Sequence, residues 1–208
     1  MKKSNAKAKR VNDHYSRLAK KESFPARSVY KLKEIQKKFN LIKRNDHILD
    51  LGCCPGSWLL YAIELAGTGG RVTGIDLQPL SIRLPKNAVV IQGDMLALTD
   101  ADYAPLEGKT NVVLSDAAPS TTGIKSVDAA RSHQLCEAAL AIAIRVLADG
   151  GSIVCKIFTG EDFTTFNESV KQHFKTCKIF KPQSCRKASK EIYLIGSGFK
   201  NSKKILKG

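Results

Sequence analysis

Four aspartates mark the places in this sequence where a small ligand could bind. Asp50, Asp76, Asp94 and Asp116 each end, or directly follow, a short run of residues typical of strands. Ligands of open α/β sheets bind at the carboxyl ends of the strands, so these carboxylates can gather around one crevice. Asp76 follows Gly52 at close to the spacing at which an acidic residue accepts ribose hydroxyls, and Asp94 ends the next strand, where an adenine could be held. Any one of them could instead cap a helix; together they favour an adenosyl ligand.

The stretch DLGCCPGSW, residues 50–58, predicts a strand, a tight turn and the start of a helix. The free backbone N–H groups of such a turn hold a pyrophosphate in dinucleotide enzymes. Here the third glycine of G-x-G-x-x-G is missing and Pro55 stiffens the loop. We therefore expect a nucleotide-like ligand other than NAD at Gly52, Pro55 and Gly56. The alternative is an ordinary tight turn in an α/β core.

Strands and helices alternate along the rest of the chain. The predicted strands cover residues 71–76, 88–94, 111–116, 152–158, 177–180 and 192–198. The predicted helices cover residues 27–39, about 127–147 and about 161–174. This alternation predicts an α/β fold with a doubly wound, mostly parallel sheet. The last two strands are joined too closely for a parallel crossover, which predicts an antiparallel strand at the C-terminal end.

Positive charge is concentrated at the two ends of the chain. Residues 1–44 contain 15 Lys and Arg against 3 Asp and Glu, and residues 171–208 contain 11 against 1, whereas the residues between them contain 8 against 15. Two basic ends around an acidic centre favour a polyanion-binding face beside a separate ligand pocket. The alternative is a pair of solvated tails. The apolar face of helix 27–39, formed by Val29, Leu32, Ile35 and Phe39, argues against that alternative for the N-terminal end.

Length and composition predict one domain, residues 1–208. Within it, residues 11–44 are expected to form a basic helical extension that binds a polyanion, and about 1–10 and 200–208 flexible basic tails. No apolar run resembles a membrane span or a signal peptide, which predicts a cytoplasmic protein. The six cysteines form no C-x-x-C pair and the four histidines lack metal-ligand spacing, so we expect reduced core thiols and no metal. Nothing suggests a large apolar interface, and we expect a monomer.

Several local motifs together resemble one enzyme family. They are PARSVYKLKEI, LDLGCCPGSW, GIDLQP, QGDM, VVLSDAAPSTTG, GGSIVCKIF and KPQSCRKASKEIYLIG, and they extend over about residues 13–198. In this combination the chain resembles the FtsJ (RlmE) family of S-adenosylmethionine-dependent ribosomal RNA 2′-O-ribose methyltransferases. The resemblance implies a Rossmann-like S-adenosylmethionine methyltransferase fold. It also implies S-adenosylmethionine as cofactor and ribosomal RNA as partner, with the target a ribose, expected to be a uridine, in 23S RNA of the large subunit.

The resemblance also implies site residues. The catalytic Lys-Asp-Lys-Glu set of the family falls on Lys31, Asp116, Lys156 and Glu191. The implied cofactor contacts are Gly56, Trp58, Asp76, Asp94 and Asp116, to which the turn adds Gly52 and Pro55. For the catalytic set the alternative is a structural ion-pair network, and for Trp58 it is core packing. The chain has GCCPGSW where relatives often have GAAPGGW, and we expect the small residues Cys53, Cys54 and Ser57 to be tolerated.

The predicted reaction needs a proton acceptor, because a ribose 2′-hydroxyl is a poor nucleophile until its proton is withdrawn. Lys156 is the candidate base, although only about one lysine in a thousand is neutral near pH 7.4 at a reference pKa near 10.4. The alternative is a charged Lys156 that stabilises the developing alkoxide while Asp116 or water takes the proton.

The RNA phosphates are expected to contact basic side chains of both ends of the chain. The candidates are Arg17, Lys20, Lys21, Arg27, Lys33, Lys37, Lys38, Arg186, Lys187 and Lys190. Two other functions remain open at this point. One is the same chemistry on transfer RNA or another RNA, and the other is a ribosome-assembly factor without essential catalysis.

Overall fold

The computed structural model describes residues 14–119, 122–160, 163–186 and 188–201. After a helical segment α1 at residues 14–21, the helices are α2 (Val29–Phe39), α3 (Ser57–Ala66), α4 (Asp100–Tyr103), α5 (Lys125–Val146) and α6 (Phe163–His173). The strands are β1 (His47–Leu51), β2 (Arg71–Asp76), β3 (Ala88–Gln92), β4 (Thr110–Ser115), β5 (Leu147–Phe158), β6 (Phe174–Phe180) and β7 (Glu191–Phe199). A short 3-10 helix, Met95–Ala97, follows β3.

The strands form one sheet in the order β3-β2-β1-β4-β5-β7-β6. The first five strands pair in parallel, and β7 lies antiparallel between β5 and β6. The chain reverses direction along the sheet between β1 and β4, so the carboxyl ends of these strands border a crevice. The predicted α/β, doubly wound sheet with an antiparallel C-terminal strand is confirmed.

Helices cover both faces of the sheet. One apolar core lies under α5 and α6, and includes Leu49, Val113, Ile142 and Phe166. The other lies under α2 and α3, and includes Leu32, Trp58 and Leu59. Because successive side chains of a strand point to opposite faces, neighbours such as Ile48 and Leu49 belong to different cores.

Several element boundaries differ from the sequence prediction. The strand predicted at 152–158 begins at Leu147, and the strand predicted at 177–180 begins at Phe174. The helix predicted to extend to about residue 174 ends at His173, and Phe174 begins β6. The Phe174 ring lies against Gly196 of β7, where an added Cβ would come within 2.8 Å of its Cγ atom, and it packs on Phe199. Tertiary packing of the ring against the sheet therefore decides a boundary that local periodicity did not show.

The basic N-terminal extension is helical and packed where the structure describes it. Ala19 of α1 packs with Val29 and Tyr30 of α2 in a small apolar cluster of its own. The predicted tails lie outside the described residues, except for Lys200 and Asn201. Lys200 is not free, because its backbone N–H donates to the His173 carbonyl at 2.9 Å. Within the described part of the chain, no helix has the length and apolarity needed to span a bilayer.

Candidate active site

The turn between β1 and α3 requires glycine at two positions. Gly52 has φ +73°, and a Cβ there would lie 2.8 Å from Cβ of Ala117. Gly56 has φ +103°, and a Cβ there would lie 2.6 Å from Cδ1 of Ile82. Any side chain at either position would be strained and would clash, so the close backbone packing of the turn depends on both glycines.

A cleft of about 650 Å³ opens beside this turn, at the carboxyl ends of the parallel strands. The predicted cofactor residues that line it are Gly52, Pro55, Asp76, Asp94 and Asp116. Gly56 is not part of the lining, although Ile82, the residue it packs against, is. The cleft has the volume of a small-molecule site and combines apolar walls with a few carboxylates.

Asp76 and Asp94 both line the cleft and both hold the local backbone. Asp76 accepts hydrogen bonds from the N–H groups of Cys54, at 2.9 Å, and Gln78, at 2.8 Å. Asp94 accepts one from the N–H of Leu96 at 2.9 Å and caps the short 3-10 helix. The capping and ligand-binding interpretations of these aspartates are therefore compatible, because each cap also fixes a carboxylate at the cleft.

Asp50 does not reach the cleft lining. It is fully buried, and neither carboxylate oxygen has a hydrogen-bond partner among the described residues. Burial, together with the negative charges of Asp116 and Asp76, raises the pKa of Asp50 well above its ordinary value. The expectation that all four aspartates surround one crevice thus holds for three, and Asp50 lies beneath them, where burial disfavours the charged carboxylate.

Lys31, Asp116, Lys156 and Glu191 converge from α2, the end of β4, β5 and β7. The Lys31 ammonium lies 3.1 Å from Oε2 of Glu191 and 3.7 Å from Oδ1 of Asp116. Lys156 lies 3.3 Å from the same Asp116 oxygen and donates a hydrogen bond to the Asp116 backbone carbonyl. The Lys156 side chain is only 6 % exposed. Asp116 lines the cleft, so this four-residue cluster adjoins it.

The charge of Lys31 is held by its two carboxylate partners. Burial lowers the pKa of Lys31, but the charges of Asp116 and Glu191 and the hydrogen bond to Glu191 outweigh it, and the net shift is upward. Lys31 therefore stays an ammonium near neutral pH. It places a fixed positive charge against the same Asp116 oxygen that Lys156 contacts.

Tyr193 is a member of the site that the sequence analysis did not assign. Its hydroxyl donates a 2.6 Å hydrogen bond to Oδ1 of Asp116, and its ring is fully buried. Burial and the charges of Asp116 and Glu191 raise the pKa of Tyr193 well above its ordinary value, so it acts as a neutral donor. The signal that could have found it is the spacing from Glu191, since residues two apart on a strand share a face.

Trp58 lies outside the cleft lining, in the core between α2 and the sheet. Its ring centroid lies 5.7 Å from that of Tyr193, and its indole N–H donates a 2.9 Å hydrogen bond to the Ser28 carbonyl. A direct contact between this side chain and a molecule in the cleft does not follow from that position. The structure instead favours the packing alternative, with Trp58 holding the segment that precedes α2.

The segment that connects β6 and β7 is fastened to α2. Both carboxylate oxygens of Glu34 accept backbone hydrogen bonds, from Gln183 at 2.6 Å and Ser184 at 2.8 Å. Arg27 donates to the Ser184 carbonyl and lies over the Tyr15 ring. These contacts join the N-terminal and C-terminal basic segments into one surface beside the four-residue cluster.

The predicted phosphate contacts divide into two groups on this surface. The exposed side chains are Arg17, Lys20, Lys21, Lys37, Lys38, Arg186 and Lys190. Arg27 and Lys33 are half-buried, Arg27 against Ser184 and Lys33 against Glu22 and three aromatic rings. Lys38, although exposed, also lies over the Phe39 and Phe180 rings. Lys187 lies outside the described residues.

Comparisons with known proteins identify the family. The model of the FtsJ-like methyltransferase family matches residues 24–199. The chain belongs to that family. It is 54% identical over 188 residues to the ribosomal RNA large subunit methyltransferase E of Desulforapulum autotrophicum, which covers 90% of this chain and 93% of the relative. It is 50% identical over 202 residues to the protein of the same name from Desulfosudis oleivorans, covering 97% and 98%.

A solved structure shows the same fold. A ribosomal RNA methyltransferase from Plasmodium falciparum superposes with a TM-score of 0.72 at 28% sequence identity, covering 85% of this chain and 98% of that one. The predicted membership of the FtsJ-like family is therefore confirmed, and the protein is a methyltransferase that uses S-adenosylmethionine.

The cleft of this FtsJ-like protein fits that methyl donor. Asp76 supplies carboxylate acceptors of the kind that bind ribose hydroxyls. Next to Asp94, a Cβ added at Gly93 would meet no atom within 4 Å, so the lining there is open. The carboxylates of Asp76 and Asp94 give this part of the cleft a negative character, which suits a cationic sulfonium.

Proposed function

We propose that this FtsJ-like protein transfers the methyl group of S-adenosylmethionine to the 2′-hydroxyl of a uridine ribose in 23S RNA of the large ribosomal subunit. One observation carries the proposal: Lys31, Asp116, Lys156 and Glu191 converge from distant parts of the chain at the edge of the cleft. The relatives named ribosomal RNA large subunit methyltransferase E support the substrate class, because the matches cover nearly the whole of both chains.

The donor is held by the turn and by two aspartates. Gly52 and Pro55 line the cleft, and Gly56 packs behind the lining against Ile82. Asp76 would accept the ribose hydroxyls, and Asp94 would bind the adenine. When bound, S-adenosylmethionine supplies a methyl group that its sulfonium charge already activates. The protein's own task is then to orient the 2′-hydroxyl toward that methyl group and to take its proton.

Lys156 is the group that takes the proton. Its amine is held at the cleft edge by two contacts with Asp116, one to the carboxylate and one to the backbone carbonyl. Glu191 orients Lys31, and Tyr193 orients Asp116. In the competing mechanism Lys156 stabilises the developing alkoxide as a cation, and water or Asp116 accepts the proton. The Lys156→Arg variant distinguishes the two mechanisms.

The RNA approaches along the joined basic surface. The exposed residues of α1, α2 and the 181–190 segment lie beside the four-residue cluster, so phosphates held there would direct a ribose toward Asp116 and Lys156. We propose further that the protein acts as a monomer in the cytoplasm, and that no metal takes part in the transfer.

The test is transfer of labelled methyl from S-adenosylmethionine to large ribosomal subunits that lack the modification. Wild-type protein is compared with Lys156→Ala and with Lys178→Ala, which removes an exposed lysine of β6. We expect label at one 2′-O-methyl dinucleotide of 23S RNA with wild type and Lys178→Ala, and almost none with Lys156→Ala.

Free ribosomal RNA and transfer RNA are assayed beside the subunits. Label in transfer RNA alone would replace the proposed substrate by transfer RNA. Absence of label from every RNA, with S-adenosylmethionine still bound, would favour a non-catalytic assembly factor. Equal label from wild type and Lys156→Ala would remove Lys156 from the mechanism.

A further inference from the structure

Two neighbouring cysteines meet Asp76 at one corner of the cleft. Sγ of Cys53, Sγ of Cys54 and a carboxylate oxygen of Asp76 all lie within 4.8 Å of one another. No other group of three metal-ligating side chains occurs in the part of the chain that the structure describes. We propose that these three residues form a binding site for a thiophilic divalent cation of the Zn²⁺ type, and that this cation and S-adenosylmethionine exclude each other.

The spacing of the three atoms is close to that of a zinc site. Zinc binds thiolate sulfur at about 2.3 Å and carboxylate oxygen at about 2.0–2.2 Å, so the ligand atoms of a tetrahedral ion lie roughly 3.5–3.8 Å apart. The observed atoms have to approach one another by about 1 Å at most, which small side-chain rotations supply. The frame is already fixed, because the Cys54 N–H donates to Asp76 at 2.9 Å.

The surroundings favour a cation at this corner. The Asp76 carboxylate lies beside both thiols and hydrogen-bonds the Cys54 N–H. Gly74 leaves the room that Cys53 occupies, since a Cβ there would lie 2.7 Å from its sulfur. A sulfur and carboxylate set of this kind suits zinc better than the hard cations magnesium and calcium. Binding releases the two thiol protons to solvent.

The cation would enter from the cleft. Cys54 and Asp76 line it, while Cys53 is buried behind them at 3% exposure. Three protein ligands leave the fourth tetrahedral position for water from the cleft, the arrangement of an open rather than a closed zinc site. The Cys54 thiol now donates to the Gln78 carbonyl at 3.1 Å, a bond that the thiolate would give up.

Mutual exclusion rests on the proposed function, because it assigns Asp76 to the donor's ribose. The Asp76 oxygen that coordinates the cation has less capacity left to accept a ribose hydroxyl. The cation would also lie directly against the cleft wall at Cys54, where the donor must pack. Loading with zinc is therefore expected to raise the apparent dissociation constant of the donor.

The test uses Co²⁺ as the probe, with the full chain reduced by a phosphine that does not bind the metal. We expect the near-ultraviolet thiolate-to-cobalt absorption at one ion per chain, displaced by Zn²⁺ and also by S-adenosylhomocysteine. Cys53→Ala and Cys54→Ala should each weaken cobalt binding at least tenfold. Cys177→Ala, a half-buried cysteine of β6, should leave it unchanged.

Three results would overturn the inference at different points. Absence of the thiolate-to-cobalt band would overturn the metal site and leave the proposed methyl transfer untouched. A band that persists in the Cys53→Ala/Cys54→Ala double variant would place the ion elsewhere. Cobalt that S-adenosylhomocysteine does not displace would overturn the exclusion, and with it the assignment of Asp76 to the ribose.

Discussion

The Ser57 hydroxyl binds both polar groups of the Ala26 backbone. It accepts a hydrogen bond from the Ala26 N–H at 2.7 Å and donates one to the Ala26 carbonyl at 3.1 Å. Ser57 is the first residue of α3, directly after the glycine turn, whereas Ala26 lies between Pro25, which lines the cleft, and the start of α2. This contact joins the wall of the donor cleft to the helix that carries Lys31.

Replacement of Ser57 by alanine should therefore disturb the position of Lys31 more than the binding of S-adenosylmethionine. The change leaves a part-buried N–H and carbonyl without their partner, which costs about 1–3 kcal/mol of unfolding free energy. We expect a lower urea midpoint and a kcat reduced several-fold, with the dissociation constant of S-adenosylmethionine nearly unchanged. A loss confined to donor affinity would contradict this role, and Ser57→Thr, which keeps the hydroxyl, serves as the control.

The two possible roles of Lys156, as a base or as a stabilising cation, predict different kcat values for the Lys156→Arg variant. A base must exist as a neutral amine, whereas arginine stays charged at every relevant pH. If Lys156 is the base, kcat should therefore decrease as much in Lys156→Arg as in Lys156→Ala, by roughly 10²–10⁴-fold. Retention of much of the rate by Lys156→Arg would support a stabilising cation instead.

The contribution of Asp50 to the unfolding free energy is expected to depend on pH. Its pKa is raised in the folded protein, so the folded state binds that proton more tightly than the unfolded chain does. The unfolding free energy of the wild type therefore falls as pH rises above the ordinary carboxyl value of 3.8 toward the folded value. Asparagine at this position resembles the protonated acid and does not titrate.

Asp50→Asn is consequently expected to be more stable than the wild type near pH 7, with a difference that shrinks toward pH 4 at up to about 1.4 kcal/mol per pH unit. Urea unfolding at several pH values measures it. Asp149→Asn changes an exposed aspartate and should show no such trend. A variant that is less stable at neutral pH than at acid pH, relative to wild type, would show that the native Asp50 is ionised and paired.

The RNA surface can be tested through salt dependence. Each phosphate contact that is lost reduces the slope of log binding constant against log salt by about 0.7–0.9. Arg186→Ala and Lys37→Ala remove exposed charges of the joined basic surface and should each lower the slope by about that amount. Lys178→Ala, on the edge strand β6, should leave it unchanged. An equal decrease for all three would mean that the effect is one of net charge and not of a defined path.

The sequence indicates the sheet and the donor side of the site better than the catalytic side. Asp76, Asp94 and Asp116 were predictable because each follows a strand, and parallel strands end at one edge. Lys31 was not predictable from periodicity, since it lies on a lysine-rich helix whose approach to β7 depends on tertiary contacts. The family motif supplied its assignment.

The remaining differences also come from tertiary packing. Trp58 follows the glycine turn, yet its ring is directed by α2 and Tyr193 and not by the cleft. Tyr193 has the residue type of a core position, and only the fold brings its hydroxyl to Asp116. The positions of Cys53, Cys54 and Asp76 in the sequence do not indicate a metal site. The three residues meet only in the folded protein, where the turn lies beside the end of β2.

The position of β7 between β5 and β6 sets the order in which the strands of the sheet can pair. β6 is made before β7 but pairs only with it, so β6 has no place in the sheet until β7 has been synthesised. The first five strands can pair with one another earlier, although β5 gains its second neighbour only with β7. Glu191 and Tyr193 arrive with β7, so the contacts of both residues with Lys31 and Asp116 form only when the sheet is completed.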